Sequence, residues 1–109
     1  MPSEITRKLL IAILTLSIPA VAADDAPLTR IAFGSCSKHN ADQPLWDPIV
    51  AADPDLWIWT GDIVYAVTED MDLMRAIYAL QRARPDYSRL VAACPVIGTW
   101  DDNDYGGNN

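Results

Sequence analysis

Three short stretches of the sequence carry side chains that could bind a metal ion. Ser35-Cys36 offers a thiol, 61–65 (Gly-Asp-Ile-Val-Tyr) offers a carboxylate and a phenol, and 101–106 (Asp-Asn-rich, ending Tyr-Gly) offers three carboxylates and a second phenol. Carboxylates that pack together repel one another and need counter-charge. Oxygen ligands favour Ca²⁺, Mg²⁺ or Mn²⁺, whereas a thiolate or phenolate favours a transition metal such as iron. The three stretches predict a cation site if the fold brings them together; an ordinary acidic turn over 101–106 is the alternative.

The order of apolar and helical segments predicts that these stretches do meet. Strands are expected over 29–33, 56–59 and 95–100, and helices over 44–52 and 70–84. A β-α-β-α-β order of this kind indicates a parallel sheet with right-handed crossovers. Ligands of such sheets bind beyond the carboxyl ends of the strands, which is where all three stretches lie.

Apolar side chains within these segments indicate which residues form the core. The longer helix carries Leu73, Ile77 and Leu80 at i, i+4 and i+7, and Pro85 ends it. The tryptophans are expected to lie in the core rather than to stack on a cofactor, because most of them fall within or beside predicted strands. They are Trp46, Trp57, Trp59 and Trp100.

The N-terminal segment has the pattern of an export signal. A basic pair precedes an apolar run over 9–18, and small residues up to Ala22 provide a cleavage site. The run is short for a membrane span, although an uncleaved anchor is an alternative. We therefore predict a signal peptide at 1–22 and a linker at 23–29. The protein is then periplasmic or extracellular, with membrane contact only through the export signal.

Composition limits the classes of function. The 109 residues include 15 acidic and 8 basic side chains, a net charge of −7, and half of them are apolar. That length allows one small domain, and the apolar content is typical of a chain that folds. The acidic excess repels a phosphate backbone, so nucleic-acid binding is not expected.

Six motifs follow one another through the region after the linker. They are Phe33-Gly34-Ser35-Cys36, Gln43-Pro44-Leu45-Trp46-Asp47, Pro54-Asp55-Leu56-Trp57, Gly61-Asp62 with Tyr65, Pro85-Asp86-Tyr87, and 95–102. This ordered series resembles the alkaline phosphatase D-like metallophosphatases of the calcineurin-like metallophosphoesterase superfamily. The resemblance implies that 30–109 is the N-terminal portion of a metallophosphatase domain. Its α/β fold would be the parallel β-α-β-α-β half of a sandwich, incomplete at the C-terminus.

The resemblance also implies roles for single residues. Cys36 would be a thiolate ligand of iron, Asp62 a carboxylate shared by two metals, and Tyr65 a phenolate ligand of iron. Asp102 would be a further metal ligand. The implied cofactors are iron and calcium, and other divalent cations suit the same ligands. Two cations would polarise phosphoryl oxygens and lower the pKa of a bound water, so the implied reaction is hydrolysis of small phosphate mono- or diesters.

Departures from the family pattern bear on catalysis. Asn103 stands at the catalytic position where the family has a histidine that protonates the leaving group or binds the substrate phosphate, and an amide cannot act as an acid near neutral pH. Ile63 stands where the family has an asparagine. His39, the one histidine of the sequence, is expected on a loop surface. The resemblance also implies later strands and metal-binding histidines from a second half that would follow Asn109, so we expect a truncated chain with little or no activity of its own.

Two other functions fit the sequence. One is a non-catalytic exported module that binds a cation through 101–104. The other is a small domain in which Cys36 and Cys94 form a disulfide. Against the disulfide, Cys36 follows the first strand and Cys94 precedes the third, so the two should lie at opposite ends of the sheet. That separation exceeds the limit of about 7 Å between the Cα atoms of a disulfide.

Overall fold

A three-stranded parallel sheet with helices packed on one face forms the fold. The computed structural model describes residues 25–107, so the predicted signal peptide at 1–22 lies outside the described residues. The elements are β1 (Ile31–Gly34), α1 (Trp46–Ala51), β2 (Leu56–Thr60), α2 (Met71–Ala83), α3 (Pro85–Ala93), β3 (Val96–Thr99) and a 3₁₀ turn over Asp102–Asp104. The α/β class and the parallel pairing are therefore confirmed.

The strand β2 is the centre of the sheet. It pairs with β1 on one side, Ile31 opposite Leu56, and with β3 on the other, Trp57 opposite Val96. Because all three strands run in the same direction, their carboxyl ends lie at one edge. The stretches that follow β1, β2 and β3 are therefore brought to that edge, as the sequence predicts.

An aromatic cluster fills the space between the sheet and its helices. Trp57 and Trp59 of β2 meet Trp46 of α1, with ring centroids 5.3 and 5.6 Å from that of Trp46. Tyr87 of α3 completes the cluster, and the Trp59 Nε1–H donates a hydrogen bond to its hydroxyl at 3.0 Å. Edge-to-face ring pairs contribute about 0.5–1.5 kcal/mol each beyond area burial. Burial raises the pKa of Tyr87.

The fourth tryptophan corrects the expectation that all four lie in the core. Trp100 is 68% exposed. It follows directly after the last residue of β3, and it is not part of the aromatic cluster.

The longer predicted helix is present, but a different side of it is buried. Asp70 begins α2, and its Oδ1 accepts hydrogen bonds from the N–H groups of Asp72 and Leu73 at 2.9 and 3.2 Å. The buried side chains are Met74, Ile77 and Gln81, whereas Leu73 and Leu80 are exposed. Ile77 is thus buried as predicted, but the prediction was wrong for Leu73 and Leu80, whose places in the interior are taken by the next residues, Met74 and Gln81.

A pair of amides explains the rotation of α2. Gln81 is fully buried, and its amide exchanges two hydrogen bonds with Gln43 of the β1–α1 loop, at 2.8 and 3.0 Å. Gln43 also accepts a hydrogen bond from the Trp46 Nε1–H and donates one to the Lys38 carbonyl at 2.9 Å. This network satisfies the buried amides and fixes which side of α2 faces inward.

A third helix, α3, was not expected from the sequence. Pro85 ends α2 as predicted, but it is also the first residue of α3. A proline suits that position because its fixed φ is helical and the first N–H of a helix has no intrahelical partner. α3 then buries Tyr87 and Leu90 against the sheet.

The other face of the sheet is apolar and open within residues 25–107. Phe33 of β1 is 73% exposed, and Ile31 and Ile97 are also exposed. These side chains share a face with Ile58, because Phe33 pairs with Ile58 and Ile58 with Ile97.

Both cysteines are free thiols. Cys36 is exposed and Cys94 is buried. The disulfide alternative is therefore wrong for this structure. Among the described residues, none of the helices has the length and apolar character needed to cross a membrane.

Candidate metal site

Backbone hydrogen bonds join the three loops at the carboxyl edge of the sheet. The Cys36 N–H donates to the Gly61 carbonyl at 3.3 Å, and the Ser37 N–H donates to the Asp62 carbonyl at 3.0 Å. On the other side, the Ala66 N–H donates to the Asn103 carbonyl at 3.3 Å. The loop after β2 is thus held between the loops that follow β1 and β3.

Gly61 allows the close approach of the loop after β3. Its φ is +114°, a conformation that residues with a side chain rarely adopt. A Cβ at this position would lie 2.8 Å from the Cβ of Asp101. A glycine is therefore required for Asp101 to sit directly against the end of β2.

Two residues of the predicted ligand set have left-handed backbone conformations. Cys36 has φ +60° and Asp62 has φ +48°. Such conformations cost roughly 1–2 kcal/mol for a residue that is not glycine. They occur at the ends of β1 and β2, and strained residues of this kind concentrate at functional sites.

Three carboxylates meet at this edge. One carboxylate oxygen from each of Asp62, Asp101 and Asp102 lies within 4.8 Å of the others. Asp62 is 8% exposed, Asp102 is partly buried and Asp101 is exposed. Calcium–oxygen distances are about 2.3–2.6 Å, so oxygens on opposite sides of the ion are about 5 Å apart. The spacing of the three carboxylates therefore fits one such cation.

Asn103 is in contact with the buried carboxylate. It is 4% exposed, and its Nδ2 donates a hydrogen bond to the Asp62 Oδ1 at 3.2 Å. Its Oδ1 is buried and has no hydrogen-bond partner among the described residues. The residue at the predicted catalytic position therefore orients Asp62, and it leaves one oxygen ligand unused beside the carboxylates.

Asp104 has a structural role. Its Oδ1 accepts a hydrogen bond from the Val64 N–H at 3.1 Å, and its Oδ2 accepts one from the Asp101 N–H at 2.9 Å. The Tyr78 hydroxyl donates to the Asp104 carbonyl at 3.2 Å, and burial followed by the charge of Asp104 raises the pKa of Tyr78 to about 12. The Asp104 carboxylate thus joins the loop after β2 to the loop after β3 and closes the turn over 101–104, while its backbone carbonyl binds α2.

The thiol and the phenol of the predicted ligand set also lie near Asp62. The Cys36 Sγ is 3.9 Å from the Asp62 Oδ2. A hydrogen bond with the Cys36 side chain, followed by burial and the nearby negative charges, raises the pKa of Tyr65 well above its usual value. Asp62 is therefore close to Cys36 and Tyr65 as well as to the Asp101–Asp102 pair.

Two neighbouring residues differ from what the sequence suggested. His39 is half-buried rather than fully on the surface, and its Nδ1 accepts a hydrogen bond from the Tyr65 N–H at 3.4 Å. Ile63 packs against the aromatic cluster, which explains an apolar residue at a position beside the site. The Lys38 ammonium is 6.0 Å from the centre of the Tyr65 ring and places a positive charge nearby.

The structure adds one carboxylate to the predicted ligands. Cys36, Asp62, Tyr65 and Asp102 all lie at the same edge, but Asp101 was not among them. Asp101 also accepts a hydrogen bond from the Asp102 N–H at 2.8 Å, which is the role of a helix cap. The sequence predicted either a cation site or an ordinary turn for 101–104, and Asp101 belongs to both the carboxylate cluster and the turn.

Comparisons with known proteins give no match to a family model, to a curated protein or to a solved structure. The geometry of the carboxylate cluster and the motifs of the sequence are therefore what indicate a function.

Proposed function

We propose that this edge of the sheet is a divalent-cation site that serves phosphate-ester hydrolysis, as in the alkaline phosphatase D-like metallophosphatases. The observation that carries the proposal is the position of Asp62. It is buried, it shares a cluster with Asp101 and Asp102, and it is also 3.9 Å from the Cys36 thiol. A carboxylate that is close to two groups of ligands is suited to being shared by two cations.

The donor set fits such ions. Three carboxylates would hold a calcium or another hard cation, while Cys36 and Tyr65 would hold a softer one such as iron. Asn103 offers a buried amide oxygen that has no other partner among the described residues. Bound cations would polarise the phosphoryl group and lower the pKa of a water. The chain itself orients Asp62 through the Asn103 amide and holds the loops together through Asp104.

The chemistry of Asn103 limits catalysis by this chain. Its Nδ2 is engaged with Asp62, and a carboxamide does not release a proton to a leaving group. Loss of a general acid typically lowers a rate by about 10²–10⁴-fold. We therefore expect slow or absent turnover in the wild-type chain even when cations are bound. Export to the periplasm or the cell exterior is part of the same proposal.

A variant with a histidine at this position tests the proposal. Wild type, Asn103→His, and Asn103→His combined with Asp62→Asn are assayed with bis(4-nitrophenyl) phosphate in the presence of iron and calcium. We expect metal-dependent turnover in Asn103→His that exceeds wild type by about 10²-fold or more. The added Asp62→Asn change should remove this turnover. If Asn103→His binds cations but hydrolyses no more ester than wild type, the phosphoesterase proposal is wrong.

That negative result would support the second candidate, a non-catalytic module that binds a cation. The hydrogen bond between Asn103 and Asp62 favours this candidate, because it occupies the position of the acid with a group that only orients a ligand. In that case Ca²⁺ binding persists, Asp62→Asn removes it, and no variant at 103 yields turnover.

A further inference from the structure

The side chain of Asn103 presents its nitrogen, rather than its oxygen, to the carboxylate cluster. Its Nδ2 is 3.2 Å from the Asp62 Oδ1, to which it donates a hydrogen bond. The Oδ1 of the same amide is buried and has no hydrogen-bond partner among residues 25–107, and Asn103 as a whole is only 4% exposed. Buried acceptors are nearly always paired, so this amide satisfies its donor and leaves its acceptor unsatisfied.

Negative charge selects this orientation of the amide. An ionised carboxylate only accepts hydrogen bonds, and hydrogen bonds to ionised groups are among the strongest in proteins. If the amide of Asn103 were turned over, its oxygen would face the Asp62 oxygen at about the same separation, with no proton between them. Without a cation, the nitrogen therefore faces Asp62.

The backbone around Asn103 is held in place, whereas the end of its side chain is free to turn. The Asn103 carbonyl accepts a hydrogen bond from the Ala66 N–H at 3.3 Å, and the next residue, Asp104, binds the N–H groups of Val64 and Asp101. The terminal torsion of an asparagine is broad and roughly twofold. Half a turn about it exchanges the NH₂ group with an oxygen of nearly the same size, so the 3₁₀ turn can stay as it is.

A cation among the carboxylates reverses the preference of the amide. The NH₂ group carries partial positive charge and offers no lone pair, whereas a carboxamide oxygen is a normal ligand of calcium. With bonds of about 2.3–2.6 Å, neighbouring oxygen ligands of one calcium ion lie about 3 Å apart. The 3.2 Å between the Asn103 Nδ2 and the Asp62 Oδ1 is therefore a suitable separation for two oxygens that share a cation.

We propose that Asn103 is a cation-dependent switch, whose amide turns over when a cation binds so that Oδ1 replaces Nδ2 beside Asp62 and becomes a ligand. In the cation-free protein the amide holds Asp62 by a hydrogen bond. In the bound protein it adds an oxygen to those of Asp62, Asp101 and Asp102. The cation has to displace the hydrogen bond first, so Asn103 regulates the affinity of the site. The proposal rests on the cation-binding part of the proposed function and is independent of ester hydrolysis.

The first experiment follows the side-chain amide of Asn103 by NMR while Ca²⁺ is added to the full chain, labelled with ¹³C and ¹⁵N in its asparagines. The Asn103 Cγ signal should move downfield, as a carbonyl carbon does when its oxygen binds a cation. The hydrogen-bonded NH₂ proton should move upfield, because it leaves Asp62. Both shifts should saturate with the Kd found by calorimetry, and both should be absent in Asp62→Asn. The amide of Asn40, which is exposed, is the internal control and should not move.

The signs of these shifts separate a switch from a group that only orients Asp62. If Ca²⁺ binds and the NH₂ proton of Asn103 stays downfield, the amide has kept its hydrogen bond; the switch is then wrong, while the cation site stands. If Ca²⁺ does not bind to the wild type at all, both the switch and the proposed cation site are wrong.

Substitutions at position 103 test the switch by calorimetry with Ca²⁺. Asn103→Leu has a similar size without the oxygen and should weaken binding about tenfold or more. Asn103→Asp keeps an oxygen and has no donor with which to hold Asp62, so it should bind Ca²⁺ at least as tightly as wild type. Asn40→Asp adds the same charge at the exposed control position and should leave the Kd unchanged. Equal weakening by Asn103→Leu and Asn103→Asp would show that Asn103 acts only as a donor and would overturn the proposal.

Discussion

The substitution Asp101→Asn should make the protein more stable than wild type when no cation is bound and less stable than wild type when a cation is bound. Asp101 is part of the carboxylate cluster, and its Oδ1 also accepts a hydrogen bond from the Asp102 N–H. Asparagine keeps an acceptor for that N–H and is as good a helix cap as aspartate. The substitution therefore removes one negative charge while the local hydrogen bond is preserved.

The size of the effect follows from the spacing of the carboxylates. Two unit charges 4.8 Å apart repel by about 0.9 kcal/mol in water. Asp101 faces both Asp62 and Asp102, and screening at 0.15 M salt leaves roughly half of the repulsion. The metal-free variant should thus be more stable than wild type by about 1 kcal/mol. For a domain of this size, that is an increase in Tm of about 4–8 °C.

The assay is thermal unfolding in EDTA and again in excess Ca²⁺. A cation at 100 times its Kd stabilises the wild type by about 2.7 kcal/mol, and the variant should lose most of that gain because it lacks one of three carboxylates. The order of the two Tm values should therefore reverse between the two buffers. The reasoning is refuted if Asp101→Asn is less stable in EDTA, or if Ca²⁺ raises both Tm values equally.

Three further substitutions test other parts of the structure. Asp55 accepts three hydrogen bonds from Thr29 and Arg30, which lower its pKa, so Asp55→Asn should destabilise the protein near neutral pH. That difference in urea unfolding should begin to shrink as the pH falls below about 4, where the carboxylate of the unfolded chain becomes protonated, and it should disappear once the pH is below the lowered pKa of Asp55 in the folded protein. Gln81→Leu breaks the amide pair with Gln43 and should lower the free energy of unfolding in urea by about 1–2 kcal/mol. The control Leu80→Gln, on the exposed side of α2, should change it by less than about 0.5 kcal/mol. Equal effects of the two substitutions would contradict the observed rotation of α2. The raised pKa of Tyr78 contributes stability that is complete below about pH 10 and is lost as the pH rises towards 12. The free energy of unfolding of Tyr78→Phe, measured in urea, should therefore fall less steeply with pH over that interval than that of the wild type. The same dependence on pH in both proteins would show that the pKa of Tyr78 is not raised.

The sheet and the position of its ligand edge could be predicted because they depend on local patterns. Continuous apolar runs predicted the strands, and alternation with helices predicted parallel pairing, which the structure confirms. Once the strands are parallel, Cys36, Asp62 and Asp102 must follow carboxyl ends at one edge. The meeting of the loops was thus a consequence of topology rather than of any single motif.

The features that the sequence did not predict depend on contacts between distant residues. The rotation of α2 follows from the Gln43–Gln81 pair, whose members are 38 positions apart, while the apolar pattern of the helix fits Leu73 and Leu80 equally well. Helix α3 was missed because Pro85 both ends one helix and begins the next.

Within the site, the missed roles belong to residues with two functions. Asp101 caps a 3₁₀ turn and also belongs to the carboxylate cluster, whereas the sequence offered these two roles as alternatives for 101–104. From the sequence, Asn103 was notable only because an amide cannot act as an acid, whereas in the structure its side chain donates a hydrogen bond to Asp62. A buried hydrogen bond between residues 41 positions apart leaves no local signal in the sequence.

Calcium titration by calorimetry tests the central claim, that Asp62 organises a cation site at the carboxyl edge of the sheet. We predict that the wild type binds Ca²⁺ with a Kd of about 10⁻⁴–10⁻³ M, the range of extracellular calcium modules. Asp62→Asn should weaken binding by at least tenfold. Glu69→Gln, which removes the same charge at an exposed position outside the cluster, should leave the Kd unchanged. Absence of binding up to about ten times that range, or equal binding by wild type and Asp62→Asn, would contradict the account.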